Sequence, residues 1–139
     1  MCQWFKSTFR QFITLMNIGS KNMLLSLKNS SCSKIEFTYV NYSKKNLLIL
    51  ELLYSQGIIQ SYKLDKKISK IYVVLRYYQN KSVLQYLKIF SNFSQHLTLK
   101  ELSRFFNKKF VLFLSTNKGL LTSLNCKKYH VSGKLLFLC

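Results

Sequence analysis

The chain reads as an α+β protein of two small domains, and three observations lead there. Its 139 residues are 48% hydrophobic, ample for packed cores and unlike a disordered basic tail. Apolar residues recur at helical spacing in parts of the first half and alternate with period two in others. Beyond the polar stretch Gln79-Asn80-Lys81-Ser82 the signals become mostly β. This divides the chain into a basic N-terminal extension at 1–19, an α/β domain at 20–80 and a β-rich domain at 81–139.

Residues 1–19 hold Lys6, Arg10, several aromatics and no acid. They read as a mitochondrial presequence or as a basic extension of the mature protein; an organellar gene would favour the extension, since no import is needed. Asn22-Met23-Leu24-Leu25-Ser26-Leu27-Lys28-Asn29 predicts a short helix with Met23, Leu24 and Leu27 on one side, broken by Ser30, Ser31 and Ser33. Ile35 to Val40 alternates as a strand, with Ile35, Phe37 and Tyr39 on one face. Ser43 to Gly57 is the clearest helix: Ser43 suits the N-cap, Leu47, Leu50, Leu53 and Tyr54 recur at helical spacing, and Gly57 suits the C′ position. Ile58 to Leu64 follows as a strand and Asp65-Lys66-Lys67 as a turn. Ile71 to Tyr78 then alternates with Ile71, Val73, Leu75 and Tyr77 on one face. The result is an αβαββ unit with its helices on one side of a small sheet. In the second half, strands are expected at Val83 to Phe90, Phe110 to Leu114 and Lys134 to Leu138. A helix from Thr98 to Phe106 carries a capping-box pattern in Thr98 and Glu101, and part of Leu120 to Lys128 reads as helical.

Charge narrows the function. Lys and Arg number 22 against four acids, Glu36, Glu51, Asp65 and Glu101, for a formal net charge of +18. Such a chain repels itself, and a polyanion relieves the repulsion. Nucleic acid fits best, through phosphate neutralisation and counterion release. An anionic membrane surface is the alternative, but the charge is spread over strands and loops rather than gathered on one amphipathic helix. No apolar run approaches the length of a transmembrane helix.

Catalysis finds little support. Four scattered acids form no carboxylate pair, and no P-loop, GxGxxG, HExxH or GxSxG pattern occurs. Cys126 and His130, four apart, are the one pair an unrecognised small enzyme could use, and two ligands fall short of a zinc site. No cofactor, metal or small-molecule substrate is expected. Cys2, Cys32, Cys126 and Cys139 are dispersed, which suggests free thiols in a reducing compartment. Tyr72, Tyr77, Tyr78 and Tyr86 could stack on unpaired bases, although strand tyrosines more often pack against neighbours.

The stretch Ser115-Thr116-Asn117-Lys118-Gly119-Leu120-Leu121-Thr122 is the sharpest local signal. It follows the apolar run Phe110 to Leu114 and lies in a C-terminal segment with no acid after Glu101. Hydroxyls and an amide to meet phosphate and sugar oxygens, a lysine for charge and a glycine for close approach suit a nucleic-acid backbone. The chain also lacks alanine and proline and has only four glycines. Alanine is the best helix former, so folding physics does not explain its absence. A/T-rich coding does, and that is typical of small A/T-rich genomes, organellar ones especially.

These blocks, in order, resemble the bacterial-type small-subunit ribosomal protein number eight, in an organellar form. Asn22 to Asn29 is similar to the family's first helix. Tyr42-Ser43-Lys44-Lys45 through Gly57-Ile58-Ile59 is similar to its Ser-Lys helix and the turn that ends it. Tyr77 to Val83 resembles the junction between its two domains. Most specific is Ser115 to Thr122, which resembles the family's Ser-Thr-Ser-Lys-Gly-hydrophobic-Met-Thr signature. The resemblance implies two small α+β domains and binding to the central domain of small-subunit rRNA, read by shape from the minor groove. It also implies neighbouring small-subunit proteins as partners, a role in subunit assembly and no catalysis. Carried over, Ser115, Thr116, Asn117, Lys118, Gly119 and Thr122 are the RNA contacts, with Lys28, Asn29, Ser43 and Lys44 as further candidates in the first domain. Three departures stand out. Ser91 to His96 is shorter than the family's Arg-Pro-Gly segment and lacks its tyrosine. Asn117 replaces a serine. Ser132-Gly133-Lys134 stands where Gly-Gly-Glu is usual, so Lys134 would offer phosphate a cation where the family has a carboxylate. The location implied is the mitochondrial matrix, on an organelle-encoded ribosomal protein.

Overall fold

The computed structural model describes residues 18–90, 96–106 and 108–139. The extension expected at 1–19 lies outside them except for its last two residues, and so does all but His96 of the shortened segment Ser91 to His96. The described residues fall into two compact units, the first ending at Leu87 and the second running from Lys88 to Cys139.

The first unit has the expected αβαββ order: α1 (Ile18–Cys32), β1 (Phe37–Asn41), α2 (Lys44–Ser55), β2 (Ile59–Asp65) and β3 (Lys70–Leu75). The three strands form an antiparallel sheet in the order β1-β3-β2. Period-two alternation in β3 buries Ile71, Val73 and Leu75. The helices contribute Met23, Leu24 and Leu27 from α1, and Ile49, Leu50 and Leu53 from α2. Burying each such side chain contributes about 1.5–3 kcal/mol. α1 packs on β1 and α2, and α2 packs on β2. Tyr62 on β2 meets Tyr54 on α2 with ring centroids 5.8 Å apart, on the helix-covered face of the sheet.

Gly57 ends α2 as the sequence predicts. It takes φ +72°, its N–H donates to Tyr54 O, and the Ile58 N–H donates to Leu53 O. This is a full Schellman motif. Ser43 occupies the N-cap, but its hydroxyl makes no capping bond. Of the serines expected to break α1, Ser30 and Ser31 lie inside the helix, which ends just before Ser33. Ser31 Oγ donates to Lys28 O at 2.7 Å, so the helix absorbs the hydroxyl and runs on to Cys32.

Gln79 to Ser82 is a tight turn inside the first unit, not a linker. Tyr78 and Lys81 exchange two backbone hydrogen bonds, and Gln79 and Asn80 take φ of 50° and 61°, the pattern of a type I′ turn. Ser82 Oγ then accepts from Leu84 N and caps a 3-10 turn, Val83–Tyr86. That turn packs on α1 and buries Leu84. Lys28 Nζ donates to Leu87 O at 3.0 Å and Gln85 Nε2 to Ser31 O at 3.3 Å, fastening it further. The first unit therefore ends at Leu87 rather than at 80. The strand expected over Val83 to Phe90 shrinks to β4 (Lys88–Ile89).

The second unit contains β4, β5 (His96–Leu97), α3 (Leu99–Ser103), β6 (Leu112–Thr116), β7 (Gly119–Thr122), α4 (Ser123–Tyr129) and β8 (Gly133–Leu138). Its antiparallel sheet has the order β4-β8-β6-β7, with β5 also paired to β8. Leu97, Leu102, Leu112, Leu114 and Cys126 form the core, with Phe105, Phe106, Leu121 and Leu135 packed against it. Phe113 and Phe137, neighbours in the ladder, stack at 4.4 Å. α3 is shorter than the nine-residue helix expected, giving way to turns at Arg104. Its start follows the capping-box pattern: Glu101 Oε2 accepts from Thr98 N at 2.8 Å and from Thr98 Oγ1 at 3.1 Å. Those two bonds hold the Glu101 carboxyl below the usual carboxylate range.

Cys32 is exposed, whereas Cys126 and Cys139 are buried, and all three are free thiols. Burial pushes Cys126 up to about 11 and Cys139 up to about 12. A thiol reagent at pH 8 should modify Cys32 in the native protein and spare these two until denaturant is added. Because the native values are raised, the associated stability is complete below the unfolded thiol value of about 8.5. It is lost as pH rises toward about 11 and about 12. Urea midpoints measured up that range should fall less steeply in Cys139→Val than in the parent.

Candidate nucleic-acid interface

The signature stretch divides between strand, turn and helix cap. Ser115 and Thr116 close β6 and are buried, at 7% and 2% exposure. Asn117 and Lys118 form a two-residue turn to β7, in which Thr116 pairs with Gly119 and Ser115 with Leu120. Both turn residues are exposed at the tip. Thr116 Oγ1 donates to Gly119 O at 2.9 Å and accepts from Lys118 N at 3.2 Å. This hydroxyl therefore braces the hairpin from inside. Gly119 takes φ +103°, and a Cβ there would meet nothing within 4 Å. Its requirement is conformational, not steric.

Thr122 is also structural in position. It is 1% exposed, and its hydroxyl accepts from Asn125 N at 3.4 Å as the N-cap of α4. The helix expected somewhere in Leu120 to Lys128 thus starts at Ser123, because Gly119–Thr122 is a strand paired to β6. The last turn of α4 carries Lys127 and Lys128, placed well for the negative end of the helix dipole. Tyr129 follows them. Lys118 Nζ lies 5.0 Å and Lys128 Nζ 5.7 Å from the centroid of the Tyr129 ring. One ring thereby gathers a lysine from the hairpin tip and a lysine from the helix end. Lys127 Nζ sits 4.9 Å from the Phe106 ring and Lys108 Nζ 4.8 Å from the Phe105 ring, so aromatic supports recur on this unit.

β8 supplies the other side. Lys134 lies opposite Ser115 on β6 and opposite His96 on β5, so Leu120, Ser115, Lys134 and His96 fall in one row across the sheet. Gly133 lies opposite Thr116. A Cβ on Gly133 would stand 2.6 Å from Ser115 O and 2.6 Å from Thr116 Cγ2. Only glycine lets β8 lie flush against the signature strand here.

The structure thus brings Ser115, Thr116, Asn117, Lys118, Gly119, Thr122 and Lys134 together around the β6–β7 hairpin. Lys28, Asn29, Ser43 and Lys44 belong to the first unit, at the end of α1 and the start of α2. The Lys28 ammonium is engaged by Leu87 O, whereas Asn29 and Lys44 are exposed. Sequence reasoning misses Tyr129, Lys128 and the steric role of Gly133. The Lys127-Lys128-Tyr129 run was the available signal, visible once Thr122 is read as a cap.

Residues 20–139 match the family model described as Ribosomal protein S8. The chain is 29% identical over 120 residues to the small ribosomal subunit protein uS8 of Ehrlichia canis, covering 83% of this chain and 91% of that protein. It is 31% identical over 118 residues to the protein of the same name from Wolinella succinogenes, covering 81% of this chain and 90% of that one. The Helicobacter pylori protein, strain G27, gives the same identity and coverage. The chain belongs to the ribosomal protein S8 family. Members of the ribosomal protein S8 family are structural proteins of the ribosome and not enzymes.

The pair weighed for catalysis agrees with that membership. Cys126 is fully buried in the core and its thiol is held neutral by burial, while His130 is exposed and closes α4 in a left-handed conformation, φ 52°. Among the described residues no group of three or more His, Cys, Asp or Glu is placed to hold a metal ion, and no helix is long and apolar enough to cross a membrane. Of the tyrosines considered for base stacking, Tyr77 is fastened: its hydroxyl donates to Ile35 O at 2.6 Å. Burial foremost, then Cys32 and Glu36, push its phenol up. Tyr78 and Tyr86 are exposed.

The two glycines can be separated by experiment. Gly133→Ala should cost about 1–3 kcal/mol in urea unfolding, as overpacking against β6. Gly119→Ala should cost about 1–2 kcal/mol through its positive φ alone. A Gly133→Ala midpoint equal to the parent's would show that β8 shifts freely.

Proposed function

We propose that the chain grips small-subunit rRNA, in the central domain of that RNA, through the β6–β7 hairpin and the adjoining end of α4. Its family membership makes it a structural, rRNA-binding component of the small ribosomal subunit that meets other ribosomal proteins there. The observation that carries the finer reading is the exposed Asn117–Lys118 tip, held by a braced hairpin beside Lys128 and Tyr129. Lys118 and Lys128 neutralise neighbouring phosphates. Asn117 offers both a donor and an acceptor to the 2′-hydroxyls and base edges of a shallow minor groove. Gly119 admits close backbone approach. Ser115 and Lys134 lie side by side in the ladder, so Lys134 reaches the backbone that passes Ser115. Thr116 and Thr122 act by holding the hairpin and α4 in place. Asn29, Ser43 and Lys44, with Lys28 beside them in sequence, form a subsidiary contact on the first unit.

The ribosome in question is mitochondrial and the gene organellar. The support is compositional: no alanine, no proline and four glycines in 139 residues, a bias of coding DNA rather than of folding. Mass spectrometry of small subunits purified from mitochondria tests this, and recovery only from cytosolic ribosomes would overturn it.

Binding is tested with a transcript of the central-domain helix against a scrambled hairpin at several salt concentrations. A preference of roughly 10³-fold or more should survive at physiological salt. Equal, steeply salt-sensitive binding to both would reduce the reading to a basic surface. Lys118→Ala should weaken binding and shallow the log–log salt slope by about one. An unchanged slope would remove Lys118 from phosphate contact.

A further inference from the structure

Among the described residues, no helix of the first unit covers the second face of its sheet. Helices cover the side bearing Ile71, Val73 and Leu75, and alternation sends Phe37, Tyr39 and Tyr72 to the other. Tyr39 and Tyr72 are direct ladder partners, and Phe37 is two residues from Tyr39 on the same strand. Ring centroids are 5.3 Å apart for Phe37–Tyr72 and for Tyr39–Tyr72, and 6.5 Å apart for Phe37–Tyr39. Phe37 is 48% and Tyr39 49% exposed, a heavy commitment of aromatic area to solvent. Nothing in the hairpin site uses these rings.

The neighbours on this face favour a polyanion. Lys63 lies opposite Tyr72 on β2, and Lys70 lies opposite Asn41 on β1. The one acid on the face, Asp65, pairs with Lys70 in the ladder and accepts the Lys67 N–H at 3.0 Å. Aromatic rings on a sheet with lysines at their margin suit unpaired nucleotides: bases stack on the rings and phosphates meet the ammonium groups. An acidic protein segment would meet the lysines, but its carboxylates offer no aromatic ring to stack on the three rings.

We infer that the open face of the β1-β3-β2 sheet is a second RNA site, which stacks unpaired bases on Phe37, Tyr39 and Tyr72 and holds their backbone with Lys63 and Lys70. It rests on the proposed function only for the class of partner, since the hairpin would grip a folded helix and this face a single strand. The two contacts are therefore separable.

The test uses the full chain with two probes: an unstructured uridine octamer and the central-domain helix transcript. The double variant Tyr39→Ala/Tyr72→Ala should lose roughly tenfold or more in octamer affinity and keep its affinity for the helix. Lys118→Ala should do the reverse. The double variant Tyr39→Phe/Tyr72→Phe, which retains the rings, should keep octamer binding. Cross-linking of the unaltered protein to an octamer carrying 4-thiouridine needs no variant, and it should mark the peptides holding Phe37 to Asn41 or Lys70 to Leu75. Cross-links confined to the hairpin, or octamer affinity unmoved by the alanine pair, would overturn the inference. So would reconstituted subunits in which the alanine pair loses a protein neighbour while octamer affinity is unchanged, which would assign the face to protein. Helix binding without octamer binding sinks this site alone; loss of helix selectivity sinks the hairpin reading instead.

Discussion

The second unit depends on the close approach of β8 to β6 at Gly133. β8 is the strand on which β4, β5 and β6 all pair, so any displacement of it is felt across the sheet. The contact is tight: the space a methyl group would need is already filled by the Ser115 carbonyl and the Thr116 methyl. This approach sets the line of β6, and β6 sets the hairpin. Thr116 then fixes the turn through two bonds from one hydroxyl, and Thr122 at the far end of β7 fixes the start of α4. A chain of short-range constraints thus runs from a glycine in the last strand to the exposed lysine at the tip.

A net charge of +18 must be accommodated while the protein is unbound. The aromatic content provides one means. Lys108, Lys118, Lys127 and Lys128 each stand over a ring, which attracts the ammonium group without neutralising it. An acid in the same place would hold the lysine equally well but would cancel the field that draws RNA. Ring support keeps the charge available and restricts the freedom of a long side chain, so less entropy is lost when a phosphate is bound.

The sequence made much of this readable, for physical reasons that differ by element. Alternation identifies Ile71, Val73 and Leu75 as an inner face because period two has one structural meaning. Gly57 is readable as a helix stop because few residues accept its φ. The misreadings share a cause: polar residues taken as breaks were satisfied locally. Ser31 bonds back within α1, and Ser82 caps a 3-10 turn that belongs to the first unit. Gln79-Asn80 takes a left-handed turn without glycine, which sequence propensity does not favour. In the proposed site, Lys118 is readable from its motif. Tyr129 is not, because its role arises from a tertiary meeting of hairpin and helix. Gly133 is visible as a glycine, but the carbonyl it avoids belongs to a strand 18 positions away in the chain.

If the hairpin is the RNA contact proposed above, the division of labour within the signature bears on how specificity is reached. Three hydroxyls in eight residues look like a hydrogen-bonding surface, yet Thr116 and Thr122 direct theirs inward and Ser115 is nearly covered. Little side-chain hydrogen bonding then remains at the tip beyond Asn117 and Lys118. A surface so sparse in donors cannot discriminate among sequences by base contacts alone. It can discriminate among shapes, because a rigid tip with one amide and clustered cations fits some backbone trajectories and not others. Loosening the brace would therefore erode selectivity faster than raw affinity, since the charge survives a geometry that is lost. The replacement of a signature serine by Asn117 fits the same logic: it lengthens the polar group at the tip and leaves the braced positions, Thr116 and Gly119, unchanged.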